Sequence, residues 1–349
     1  MIPEVLDVAL RKRPFLLAKI DRFRRTANCG ESWESFCEVE SADYEFVGVD
    51  GSRNMVLYKD FAIYALAAES VRARGGFVEV YERAADIDVL LPYWLHEERV
   101  RLYMTIMELR LALRALKELS DAFVILDGSI ASMLVRPWRY SVSSQLRRSV
   151  LEDFHYQVLS SVEGGDPRVV SKEIVEGIIE EGGEEVKDKA LLLEYIEYLT
   201  LLYKLLSEYP ERLAAIAKQS EAHRLSLRLP DVAFYEHATK GPGYVEDSIV
   251  TLRDHKGSLP AYWDFFRNLT LRVVYVRLEN GGPVLKLELP SNTDLPPLLK
   301  ALSRYSVKGY PYFMAKAHSD VVISTRDMEG LMRVLGLYGM RTGREVLAR

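Results

Sequence analysis

"VGVDGSRN" at residues 47–54 and "VILDGSIA" at residues 124–131 share one design: an apolar, β-branched run leads into Asp-Gly-Ser. A short apolar run bounded by turn residues predicts a buried strand. Both strands are therefore expected to stop at their Asp-Gly-Ser. Taken singly, either tripeptide is an ordinary turn, because Asp and Gly suit turn backbones. The pair changes the reading. If the two strands are neighbours, Asp50 and Asp127 lie side by side at the strand ends. Two carboxylates in that position repel one another and lose hydration unless a cation sits between them.

The flanking sequence predicts how the strands become neighbours. After "YEFVGVD", the segments "MVLYKDFAIYALAAESVRA" and "FVEVYERAADIDV" predict two further strands, antiparallel to the first. Residues 97–119 then form the clearest helix in the chain, followed by the strand "AFVILDGS". Residues 140–212 turn acidic and then strongly helical and predict a helical insertion. "RLAAIAKQS" predicts a short strand ending at Lys218, and residues 271–289 a hairpin around Asn280-Gly281-Gly282. Three C-terminal helices close the chain, with Pro311 as the first residue of one of them. Residues 1–27 carry an N-terminal helix with Arg11, Lys12, Arg13, Arg22, Arg24 and Arg25 on its polar side. By analogy, this order matches an α/β fold, a ribonuclease-H-like mixed sheet flanked by helices with a helical insertion. In such a sheet the first strand and the strand after the first helix are adjacent.

Glu108 is the third acid. On a wheel of the 97–119 helix, Leu102, Ile106, Leu109, Leu113 and Leu116 make the apolar stripe. Arg110, Arg114, Lys117 and Glu118 make the solvated side, and Glu108 points away from it, beside Met104, Ala112 and Ala115. A helical Glu is usually a surface residue, but this one faces protein and needs a partner. Three oxygen ligands without a His or Cys cluster suit Mg²⁺ or Mn²⁺ better than zinc. Two such ions about 4 Å apart clamp a scissile phosphate.

Arg53, Arg136, Arg139, Arg147 and Arg148 are candidates for a phosphate track, and "VRPWRYSVSSQLRRS" mixes such arginines with Trp138 and Tyr140, as single-stranded nucleic acid requires. A solvated helix and loop explains the same composition equally well. Ser52, Ser129, Arg53 and Lys218 are the substrate-binding candidates. From the residues alone, neither Tyr310 nor His318 stands out from the other tyrosines and histidines.

The 349 residues allow one elaborated domain or two. With a net charge of −5, no global basic field announces nucleic acid, so a polyanion must be held by local patches or by metal. Two cysteines, Cys29 and Cys37, form neither a disulfide framework nor a zinc pattern, and point to a reducing cytoplasm. The first residues read as a helix rather than a secretion signal, and no apolar run approaches the roughly 20 residues of a membrane span.

One ordered set of motifs runs from residue 46 to residue 318: "FVGVDGSRN", the Glu of "MELRLAL", "VILDGSIAS", "IAKQS" after the insertion, and "GYPYFMAKAH". It resembles the NurA nuclease family, found mostly in archaea and in some bacteria. The resemblance implies a single nuclease domain over residues 1–349 and a Mn²⁺-dependent DNase, with Mg²⁺ as a substitute. It implies endonuclease cleavage of single-stranded DNA, 5′ to 3′ resection of DNA ends, a homodimer, and a hexameric HerA-type ATPase as partner in double-strand-break processing. Position by position, Asp50, Glu108 and Asp127 match the family's acidic metal site. Tyr310 and His318 match its C-terminal functional pair, with His318 as a metal ligand or proton shuttle, and Lys218 matches a basic motif position. Tyr310 is preferred to Tyr312 by the eight-residue gap to His318.

Two other readings use the same residues. Actin-like ATP-binding phosphotransferases also place Asp-Gly-Ser/Thr turns after equivalent strands, but the Gly-Gly-Pro candidate at residues 281–283 lies in the predicted hairpin. A non-catalytic dimeric adaptor of a DNA translocase would use the acids for structure alone, with the N-terminal helix and the C-terminal "MEGLMRVLGLYG" as association surfaces.

Overall fold

Strand β1 (Glu45–Leu57) does not stop at its Asp-Gly-Ser. It runs straight through Asp50, Gly51 and Ser52, because its whole length is paired with β2 (Ala62–Arg74) in antiparallel register. The expected turn is absent there, since ladder hydrogen bonds hold the tripeptide extended and override its turn preference. Strand β3 (Phe77–Val89) pairs antiparallel with β2. Helix α2 (His96–Glu118) then leads back to β4 (Ala122–Asp127), which does end at its Asp-Gly-Ser. Gly128 there takes φ +108°, a left-handed conformation that favours glycine.

We describe a computed structural model covering residues 2–24, 33–135, 142–183, 185–226, 229–251 and 259–340. Helix α1 (Pro3–Arg24) precedes the sheet. After β4 come α3 (Ile130–Val135), α4 (Ser144–Gly164), α5 (Val170–Glu181) and α6 (Val186–Glu208), and then β5 (Leu213–Ala217). The chain continues through α7 (Asp231–Ala238), β6 (Gly243–Thr251), α8 (Trp263–Asn268), β7 (Thr270–Arg277), β8 (Leu285–Leu289) and α9 (Leu295–Ser303). A two-stranded ribbon, β9 (Ser306–Val307) and β10 (Tyr310–Pro311), precedes α10 (Tyr312–Val321) and α11 (Thr325–Val334). Pro311 is therefore the residue before α10, with φ −60° and ψ 121°, and not its first helical residue.

The main sheet has eight strands in the order β3-β2-β1-β4-β5-β8-β7-β6. Strands β1, β4 and β5 are mutually parallel, and the others are antiparallel to their neighbours. Strand β6 lies outside the expected hairpin and extends the sheet to a far edge.

Both faces of the sheet are covered, as a buried mixed sheet requires. On one face, Val47, Val49, Val124 and Leu126 pack with α2, α4, α5 and α6. On the other, Phe46, Phe123, Ile125 and Ile216 pack with α9 and α10. Alternation along the strands decides which side chain meets which layer.

The α2 layer corrects one expectation. Arg110 is buried rather than solvated: its guanidinium donates to the Glu197 carboxylate of α6 and to the backbone of the α4–α5 connection. Arg99 is likewise buried against Glu194 of α6 and the carbonyls of Leu91 and Pro92. Helix α1 behaves in the opposite way. Its apolar Val5, Leu6, Leu10, Phe15, Leu16, Leu17 and Ile20 are all exposed. Among the described residues, no helix is long and apolar enough to cross a membrane.

Candidate metal centre

Strands β1 and β4 run parallel in a register that pairs Val49 with Leu126, so Asp50 and Asp127 come next on the adjoining strands. Both point to the α10 face, opposite to Val49 and Leu126. The β1–β4 pairing ends at Val49 and Leu126, and β4 itself ends one residue later at Asp127.

Asp50 is only 6% exposed. Burial, and then the charge of Asp127, push its carboxyl above the usual range. The Gly51 N–H donates to Oδ1 at 2.8 Å and His318 Nδ1 lies 2.7 Å from Oδ2; both oppose the rise without cancelling it. His318 reaches this place because α10 packs very close to β1 at Gly48. A Cβ on Gly48 would lie 2.5 Å from Met314 Sδ and 2.6 Å from a Phe313 ring carbon. Glycine is required there by that approach, not by its φ.

Asp127 is held by two groups. Lys218, just past the end of β5, places Nζ 3.4 Å from Oδ2, and the Tyr310 hydroxyl donates to Oδ1 at 3.5 Å. Lys218 Nζ also lies 4.7 Å from the centre of the Tyr310 ring, in cation–π range. Burial, then Asp127 and Asp50, raise the Tyr310 hydroxyl far above its ordinary value, so it stays a proton donor.

Glu108 comes from the other face of the sheet. Its carboxylate rests against Gly51, where a Cβ would lie 2.7 Å from Oε1 and 3.0 Å from Met104 Cγ. The two glycines that bracket Val49-Asp50 thus admit α10 from one side and α2 from the other.

The structure brings Asp50, Asp127, Tyr310, His318 and Lys218 together, with Glu108 one residue away behind Gly51. The remaining candidates have other partners. Arg53 points to the α2 side and pairs with Glu97 at 3.0 Å. Ser52 Oγ accepts from the Ile323 N–H at 3.1 Å, which ties β1 to the α10–α11 junction. Ser129 donates to Glu288. Arg147 and Arg148 are exposed on α4, while Arg136, Trp138, Arg139 and Tyr140 lie outside the described residues.

Two buried residues at the site escaped the sequence reading. Lys286 and Glu288 lie on β8 and pair with one another at 2.6 Å. Their signal was "VLKLELP", in which opposite charges two apart share one strand face between apolar residues. Lys286, Lys218 and Ser129 also line a cleft of about 770 Å³ that none of the three acids borders.

The donor set fits a hard divalent cation in kind: two adjacent carboxylates whose charges oppose one another, a third carboxylate close by, and an imidazole. Among the described residues, no three Asp, Glu, His or Cys side chains form a ready cage. Each acid of the central pair is turned instead to a local partner, Asp50 to His318 and Asp127 to Lys218.

Sheet order and paired acids define a ribonuclease-H-like α/β protein. The NurA domain family model matches residues 44–323, so the chain belongs to the NurA family. A protein named as a probable DNA double-strand break repair nuclease NurA, from Methanocaldococcus jannaschii, is 26% identical over 95% of this chain and 89% of its own length. The DNA double-strand break repair nuclease NurA of Sulfurisphaera tokodaii is 26% identical over 97% of this chain and 96% of its own length. A crystal structure of the NurA nuclease from Sulfolobus solfataricus superposes with a TM-score of 0.73 at 23% identity, covering 96% of this chain and 97% of that one. A crystal structure of NurA bound to dAMP and manganese superposes with a TM-score of 0.66 at 19% identity, covering 95% of this chain and 98% of that one.

Proposed function

We propose that this protein is a divalent-cation-dependent deoxyribonuclease that hydrolyses phosphodiester bonds at broken DNA ends. The observation that carries the reading is the Asp50–Asp127 pair: like charges on adjacent strands, one of them buried with a raised pKa. His318 and Lys218 offset part of that repulsion, and a bound divalent cation would relieve the rest. Family membership and the names of the relatives support DNA as the substrate.

Asp50, Asp127, Glu108 and His318 are the residues that would hold the cation. Oxygen-rich donors favour Mn²⁺, with Mg²⁺ as a substitute, and the spread of carboxylates suits two ions. Bound there, a divalent cation supplies an activated water and charge neutralisation at the scissile phosphate. The chain's own groups do the rest. Tyr310 donates to Asp127 Oδ1 and orients that carboxylate. Lys218, half-exposed at the mouth of the cleft, neutralises the strand beside the scissile bond. His318, against Asp50, is the side chain placed to exchange a proton there.

The family resemblance supports the finer reading: single-stranded endonuclease activity, 5′ to 3′ resection, a homodimer, and a HerA-type hexameric ATPase as partner. The test is incubation of the purified protein with end-labelled single- and double-stranded DNA in Mn²⁺, Mg²⁺ or EDTA. Asp50→Ala and Asp127→Ala are expected to abolish Mn²⁺-dependent cleavage while leaving the protein folded. Full activity in either variant would refute the assignment.

A further inference from the structure

The turn that carries Asp127 is held from the far half of the sheet. Glu288, on β8, is 1% exposed, and three donors converge on its carboxylate. Ser129 Oγ donates to Oε1 at 2.8 Å and Lys286 Nζ to the same oxygen at 2.6 Å, while the Ala131 N–H donates to Oε2 at 3.0 Å. Ser129 Oγ in turn accepts from the Ser132 N–H at 3.1 Å. Gly128, in its left-handed conformation, donates its N–H to the Ile216 carbonyl at 2.8 Å. Every residue from Gly128 to Ala131 except Ile130, whose side chain is buried in the core, is thus tied by a named bond to β5 or β8.

A buried Lys–Glu pair is not needed for stability, since an apolar pair of similar volume serves as well or better. Its retention at this place calls for another reason. We infer that Glu288, charge-balanced by Lys286, is a positioning residue: it fixes the Asp127-Gly128-Ser129 turn and so holds the Asp127 carboxylate beside Asp50, where both would serve as cation ligands. The inference rests on the metal-dependent reading above and extends it to residues in a strand that carries no acid of the site. Groups that orient metal ligands through hydrogen bonds typically cost 10–100-fold in metal affinity or activity when removed.

Glu288→Ala alone leaves Lys286 buried without a partner and risks misfolding, so two double variants carry the test. Lys286→Met/Glu288→Leu removes both charges and every acceptor for Ser129. Lys286→Met/Glu288→Gln removes both charges but keeps an oxygen acceptor for Ser129. Full-length proteins are stripped with EDTA, checked by thermal melting, and titrated with Mn²⁺ while free Mn²⁺ is followed by electron paramagnetic resonance. The Met/Leu variant is expected to bind Mn²⁺ at least about tenfold more weakly, and the Met/Gln variant to lose clearly less, because its amide oxygen still accepts from Ser129 although the Ala131 N–H loses its acceptor. In cleavage assays the Met/Leu defect should shrink as Mn²⁺ is raised to saturation, which a general packing defect would not do. Wild-type Mn²⁺ affinity in a folded Met/Leu variant, or equal losses in both variants, overturns the inference. If the wild-type protein binds and cleaves normally, such a result leaves the nuclease reading standing. If the wild-type protein binds no Mn²⁺, both fall together.

Discussion

Two glycines and one aspartate shape the candidate site on β1. Gly51 has no Cβ because the Glu108 carboxylate occupies that volume. In Gly51→Ala, Glu108 and Met104 are displaced, and misplacement of a reacting group by about 1 Å costs on the order of 100-fold in rate. Steady-state cleavage assays at saturating Mn²⁺ check this, with near-UV circular dichroism confirming the fold. Asp50 yields a prediction with a definite sign. Burial and Asp127 raise its pKa, so the folded chain holds this proton more tightly than the unfolded chain does. Its contribution to stability is then complete below the ordinary Asp value of about 3.9, and is lost as pH rises through the higher folded value. Asp50→Asn removes that loss. In EDTA at pH 7, Asp50→Asn should melt above wild type, and the difference should vanish below about pH 4, where both are uncharged. Lower melting of the variant at neutral pH would contradict the sign.

At the scale of elements, α2 is fixed by two buried ion pairs to α6, Arg99–Glu194 and Arg110–Glu197. They lock the helix that presents Glu108 to the helices inserted between β4 and β5. Removing one partner strands a buried charge, at a cost of about 3–5 kcal/mol. Arg99→Met should therefore lower stability by that amount in urea unfolding, and Arg99→Met/Glu194→Met should recover most of it. A helical wheel could not reveal this. It places arginines on the side opposite the leucines and takes that side for solvent, although here a second helical layer covers it. For the same reason the wheel did identify Glu108, since small alanines beside an acid mark close approach whichever layer supplies the partner.

For the whole molecule, an overall charge of −5 gives DNA no general attraction, so the proposed nuclease must hold it through local groups such as Lys218 and a bound cation. Helix α1 is the one long described helix whose apolar side chains Leu6, Leu10 and Leu17 stay exposed along its length. Exposed apolar surface of this kind marks association. Leu6→Ser/Leu10→Ser/Leu17→Ser should reduce self-association, measured by light scattering, and change the melting temperature little because more than half of each residue's surface is exposed. An unchanged oligomeric state would show that α1 does not mediate self-association.

The local pattern of residues was enough to place the strands that bear Asp50 and Asp127, the helix that bears Glu108, the helical stretch between β4 and β5, and the hairpin of β7 and β8. Apolar periodicity and turn residues act over a few neighbours, and sequence records those directly. Other facts depend on partners far along the chain. β1 runs through its Asp-Gly-Ser because β2 pairs with all of it, whereas β4 has no such continuation and turns. Gly48 and Gly51 are glycines because helices from distant segments press on them from opposite faces. Tyr310 and His318 gain their place only when α10 packs onto β1. Glu288 meets Ser129 only because β8 joins the sheet beside β5. In each case the deciding force is a close packing contact or a buried charge that exists only once the sheet has closed.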